Sequence, residues 1–176
     1  MNNNEKEFKL YNILLPIWIL VFVPSWLWLI LIPANYLIDR LVLHWSLGNM
    51  GDKNAFCRKH TWKICIAGFF SDLCGALVLF GVFVIATIAG EGTPLSPLVP
   101  MLDLIESGVA SDPLDSIAAF LVVAVSVAVA GVAIFLIDRR ILTKAGLEAE
   151  QARRSAMWLA VLTAPYLYFV PSRLIY

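Results

Sequence analysis

Four apolar stretches, at about residues 12–38, 64–89, 117–137 and 156–172, fill most of this chain. Each comes close to or exceeds the roughly 20 residues that an α-helix needs to cross about 30 Å of hydrocarbon. All four are expected to be helices, because an open sheet leaves backbone groups without partners in lipid. Composition agrees: 60% of the residues are hydrophobic and 15% charged, and the mean hydropathy is +0.81, far outside the range of a soluble domain. The expected fold class is therefore an all-α integral membrane protein with four transmembrane helices, one domain spanning residues 1–176 with no soluble module.

The first stretch contains Pro16, Pro24 and Pro33, which predicts a kink near Pro24. Ahead of it, Glu5 and Glu7 mix with Lys6 and Lys9. The apolar run that follows is too long for a signal-peptide core and shows no small-residue cleavage site, so this end is expected to be retained.

Charge placement sets the expected orientation. Residues 39–63 carry Arg40, Lys53, Arg58, Lys59 and Lys63, and residues 138–155 carry Arg139, Arg140, Lys144, Arg153 and Arg154. The central loop 90–116 carries Glu91, Asp103, Glu106, Asp112 and Asp115 with no Lys or Arg. The positive-inside rule then puts loops 39–63 and 138–155 in the cytoplasm and both termini and loop 90–116 outside. The simplicity of the chain points to a bacterial cell (inner) membrane. Within the central loop, Leu98, Met101, Leu102, Leu104 and Ile105 alternate with Asp103 and Glu106 after Pro100, which predicts a short interfacial helix ending near Gly108.

A phrase recurs: Leu37-Ile38-Asp39-Arg40 and Leu136-Ile137-Asp138-Arg139 each close an apolar run. Aligned on it, Arg58-Lys59 matches Arg153-Arg154, Trp62 matches Trp158, and Phe69-Phe70 falls on Pro165-Tyr166. Two readings stay open. Either any inward-ending helix finishes this way, or residues 12–89 and 117–176 are tandem parallel repeats of a helix pair. Asp39, Arg40, Asp138 and Arg139 would form an inner charge cluster, serving either as solvated boundary anchors or in gating or partner docking.

Asp72 is the most exceptional side chain, about 12 Å inside the second stretch at 1.5 Å per residue. A carboxylate at such depth costs about 2.5–3.5 kcal/mol to insert and normally faces protein or water. No Lys or Arg lies at comparable depth, so its expected partners are Asn35, Ser126, Thr163, Tyr166 or Tyr168. One reading makes Asp72 a proton- or cation-coupling site, with Asn35, Trp26, Trp28 and Tyr166 near the path; an aromatic wall beside an acid can hold an organic cation. The other makes it a carboxyl that ties helices or subunits together. Gly68 and Gly75 flank it on one helix face, and the third stretch carries Ala124, Ala128 and Gly131 on one stripe with Ser126 and Ala130 on another. These small residues predict close helix packing. Trp18, Tyr36, Trp45, Trp62 and Trp158 fall near expected boundaries and read as interfacial anchors.

Other chemistries find little support. Cys57, Cys65 and Cys74 lie on or near the expected cytoplasmic side, where a structural disulfide is disfavoured, and with His44 and His60 they reproduce no zinc spacing. No Ser/His/Asp set or glycine-rich phosphate loop is present. The expectation is a non-enzymatic protein without cofactor, without metal and without nucleic-acid partner, whose surroundings are the bilayer and either copies of itself or a larger membrane complex. Two functions of different class remain: an accessory, assembly or regulatory subunit acting through helix packing, or an oligomeric transporter or channel that uses Asp72.

Overall fold

A computed structural model describes residues 18–19, 22, 28–48, 50–89 and 96–174. Among them are five α-helices and no strand: α1 Trp28–Ser46, α2 Lys53–Ile88, α3 Val99–Ala110, α4 Ile117–Lys144 and α5 Ala149–Thr163. Two of these, α2 and α4, are long and apolar enough to cross a membrane. The residues around the expected kink at Pro24 lie outside the described set; Pro33 is inside α1.

The helices run beyond their apolar stretches. The expected loop 39–63 contracts to residues 47–52, because α1 continues to Ser46 and α2 already begins at Lys53. The early turns of α2 are amphipathic: Cys57, Thr61, Ile64 and Cys65 are buried while Arg58, Lys59, Trp62 and Lys63 face out. The expected loop 138–155 likewise contracts to 145–148. There Gly146, at φ +96°, caps α4, and the Leu147 amide donates to the Leu142 carbonyl. Gly48 occupies the left-handed region in the other turn, at φ +56°. The two turns meet where the Gln151 amide donates to the Leu47 carbonyl at 3.1 Å.

The fourth apolar stretch differs from expectation. Helix α5 stops at Thr163, since Pro165 forces Ala164 into an extended conformation (ψ 153°), and a 3₁₀ turn, Tyr166–Phe169, follows. The expected short helix of the central loop is α3, which runs to Ala110.

α2 packs antiparallel on α4, α4 on α5, and α1 on both α2 and α5. The interior separates into two apolar clusters. At the α3 end, Trp18, Leu79, Leu102, Ile105, Val123 and Tyr168 come together. At the end where the two hairpins turn, the cluster is Val42, Leu43, Leu47, Cys57, Ile64, Ile134, Leu142 and Leu159 with their neighbours. The opposite face of α4 is apolar as well, with Leu121, Val125, Val132 and Leu136 exposed.

Helix α3 is fastened from both directions along the chain. Trp18 is buried, and its indole donates to the Val109 carbonyl at 3.0 Å. The Ser172 amide donates to the Ser111 carbonyl at 2.9 Å. Both contacts satisfy carbonyls at the α3 C-terminus that have no partner within the helix.

Candidate functional site

A cavity of about 500 Å³ opens beside Asp72, within the size range of small-molecule sites. Trp28, Leu31, Asn35 and Ile38 reach it from α1 at helical spacing, so they share one face. α2 contributes Phe69 and Asp72, one turn apart. The remaining wall is the segment Leu162–Tyr168, across the end of α5, together with Val170. The break at Pro165 creates this space: the backbone leaves the helical path and returns as the 3₁₀ turn.

Three contacts fix the walls. The Trp28 and Phe69 rings stack with centroids 5.9 Å apart and planes 20° apart. The buried Tyr168 hydroxyl donates to the backbone carbonyl of Asp72 at 2.8 Å, pinning the 3₁₀ turn to α2. The Tyr166 hydroxyl donates to the Val161 carbonyl. Oδ1 of Asp72 is buried and has no hydrogen-bond partner. A mainly apolar and aromatic cavity therefore carries one acidic group with unused acceptor capacity.

The sequence-derived residues fall into distinct places. Asp72, Asn35, Trp28 and Tyr166 line the one cavity, whereas Trp26 lies outside the described residues. Two of the partners anticipated for the Asp72 carboxyl serve elsewhere: Ser126 donates to the Gly75 carbonyl and Thr163 to the Leu159 carbonyl. Gly75 sits at the α2–α4 contact, where an added Cβ would lie 3.0 Å from the Ser126 carbonyl oxygen and 3.1 Å from the Ala130 Cβ. Gly68 has open space around it. The α4 stripe that meets α2 is the one with Ser126 and Ala130, while Ala128 and Gly131 line a shallower groove with Met157, Ala160 and Val161. Ala124 is half-buried beside that stripe.

The inner charge cluster is parted by burial. Asp39 and Asp138 point inward, with 5% and 1% exposure, while Arg139 faces out and Arg40 is half-buried. Neither acid ends its helix, because α1 and α4 both continue past it. The reading as solvated boundary anchors therefore does not describe these two carboxylates. The one ion pair between described side chains is elsewhere, Arg153 to Glu150 at 2.8 Å on the surface of α5.

Cys57 and Cys65 are buried thiols and Cys74 is exposed, all three free. Among the described residues, no three His, Cys, Asp or Glu side chains gather as a metal-binding group. Compared with protein-family models, curated proteins and solved structures, the chain matches none.

Proposed function

We propose that this chain is a small membrane protein that binds an amphipathic organic cation in the cavity beside Asp72, as part of a transport pathway assembled from several copies. The observation that carries this reading is the buried, unpartnered Oδ1 of Asp72 on the wall of a cavity of about 500 Å³ lined mainly by apolar and aromatic side chains. Such a cavity offers a bulky cation one counter-charge and extensive apolar contact, and the Trp28–Phe69 pair offers ring faces that attract positive charge. Asn35 supplies an amide able to orient a polar substituent. In this reading α1 and the α5 region join α2 and α4 in the bilayer of a bacterial cell membrane, with the basic hairpin turns in the cytoplasm and the α3 end outside.

The test is binding of a lipophilic cation such as tetraphenylphosphonium to the purified chain, read by quenching of tryptophan fluorescence. The expected result is saturable quenching that weakens about tenfold or more in Asp72→Asn, with helix content unchanged. Equal affinity in the Asn variant, or no saturable binding to the parent chain, would sink the reading.

A second reading, the accessory or assembly subunit, draws on the shallower groove where Ala128, Gly131 and Ala160 let another helix approach closely. Native mass spectrometry of gently extracted protein separates the two. A stoichiometric second protein favours the subunit, and a closed homo-oligomer favours the pathway.

A further inference from the structure

Each of four helices places one oxygen-bearing side chain in the hairpin-end core. Asp39 on α1 lies beside Val42 and Leu43, Thr61 on α2 between Cys57 and Ile64, Asp138 on α4 between Ile134 and Leu142, and Ser155 on α5 between Ala152 and Leu159. All of those flanking residues belong to a single contacting cluster, so the four polar groups are enclosed by the same apolar shell.

Helix register brings three of them to neighbouring levels. Gly75 faces Ser126 and Ala130 across the antiparallel α2–α4 contact. Counting back along α2 and forward along α4 sets Asp138 opposite Ile64 and Cys65, with Thr61 about one turn further on. Gly131 faces Ala160, and the same count along α5 brings Asp138 level with about residues 153–155.

These oxygens behave unlike the other hydroxyls of the bundle. Ser71, Thr87, Thr143 and Thr163 each donate to the carbonyl four residues back, and Ser126 donates to Gly75. Thr61 and Ser155 are fully enclosed at 0% exposure, yet neither hydroxyl makes that bond or any other. Both carboxylate oxygens of Asp138 are likewise buried and unpartnered. Buried polar atoms without partners are rare, and a buried carboxylate ordinarily has a countercharge or coordinates a cation. Here the two exceptional hydroxyls and the unpartnered carboxylate fall at neighbouring levels of one core. The basic neighbour of Asp138 in sequence, Arg139, points to the surface.

We infer that Asp138, Thr61 and Ser155, with Asp39 beside them, bind a small hard monovalent cation of the sodium class within the hairpin-end core. Carboxylate and hydroxyl oxygens are hard ligands, suited to alkali and alkaline-earth ions rather than to soft metals. One carboxylate assisted by neutral hydroxyls matches a single positive charge, and Asp39 lines the same core from α1. The paired phrase of the sequence thereby gains a role, since each hairpin delivers its aspartate to the same core. This site is separate from the Asp72 cavity and does not depend on what that cavity binds.

The experiment is thermal unfolding of the full chain in detergent, followed by circular dichroism at constant pH and ionic strength in sodium, choline or magnesium chloride, alongside equilibrium binding of sodium-22. Sodium should raise the melting temperature saturably over choline, by roughly 5–10 °C at a hundred times its dissociation constant. Thr61→Val and Ser155→Ala, which keep the volume and remove the oxygen, should each weaken sodium binding about tenfold or more. Asp138→Asn should abolish it, and Asp72→Asn should leave it intact, which distinguishes this site from the cavity. Identical melting in sodium and choline with no sodium-22 retained overturns the inference. So does a sodium response that survives in the Thr61→Val/Ser155→Ala double variant, or a response to magnesium in place of sodium.

Discussion

The Ser126 hydroxyl donates to the Gly75 carbonyl at 2.7 Å, and the Ser126 carbonyl oxygen stands 3.0 Å from where a Cβ on Gly75 would be. The two backbones are thus held so close that even a small side chain at position 75 would press on α4, and this contact sets the α2–α4 register. Gly75→Leu should destabilise the bundle by about 2–3 kcal/mol through overpacking, whereas Gly68→Ala, in open space, should be neutral or stabilise by up to about 1 kcal/mol through helix propensity. Detergent-resolved thermal melts of the two variants check the contrast.

Gly108 presents a tighter case. A Cβ there would come within 2.4 Å of the Ala119 Cβ, which is attached directly to the α4 backbone and cannot rotate away. Gly108→Ala should cost about 1–3 kcal/mol despite its better helix propensity. Hydrogen exchange should locate the loosening in α3 and the first turns of α4.

Trp18→Phe keeps most of the ring contacts with Phe80 and Phe83 but leaves the Val109 carbonyl without its indole donor. A loss of about 1–2 kcal/mol is expected. Trp18→Ala, which also empties the ring's place in the core, should lose about 3–5 kcal/mol. Chemical-denaturant titration of the three proteins gives the comparison.

On the surface of α5, the hydrogen bond and charge of Arg153 hold the Glu150 carboxyl below the usual carboxylate range. A depressed folded-state value means the contribution is present above the unfolded pKa and fades as pH falls through the folded one. Both side chains are solvent-screened, so Arg153→Ala should leave the melting temperature unchanged at neutral and at acid pH. A clear shift in either condition would contradict the assignment of this pair as a surface contact.

What could be read from sequence was governed by apolar length and small-residue spacing. The run from Ile117 to Ile137 identifies α4, and Pro100 followed by alternating Leu and acid residues identifies α3. Hydropathy cannot show how far a helix continues once its outer face turns polar. For that reason the first turns of α2, with Cys57 and Thr61 buried beneath Arg58 and Lys59, read as loop. The same blindness made Asp39 and Asp138 look terminal, although further helical turns follow each of them. Pro165 was visible in the fourth stretch, but the cavity it opens depends on Tyr168 reaching the Asp72 carbonyl 96 positions away, which no local pattern encodes. Small-residue spacing showed that α4 packs closely; which stripe meets α2 was decided by Ser126 finding Gly75.

The two fastenings of α3 bear on the order in which the molecule is completed. Its last carbonyls bond to Trp18, made long before it, and to Ser172, made long after it. During synthesis the corner at Val109–Ser111 therefore stays unfinished until Ser172 has emerged, whereas the Leu47 and Met50 amides in the turn between α1 and α2 bond carbonyls only a few residues back. The α3 end is then the last part to become solid, and a chain stopped short of Ser172 would have one half set and the other still ajar.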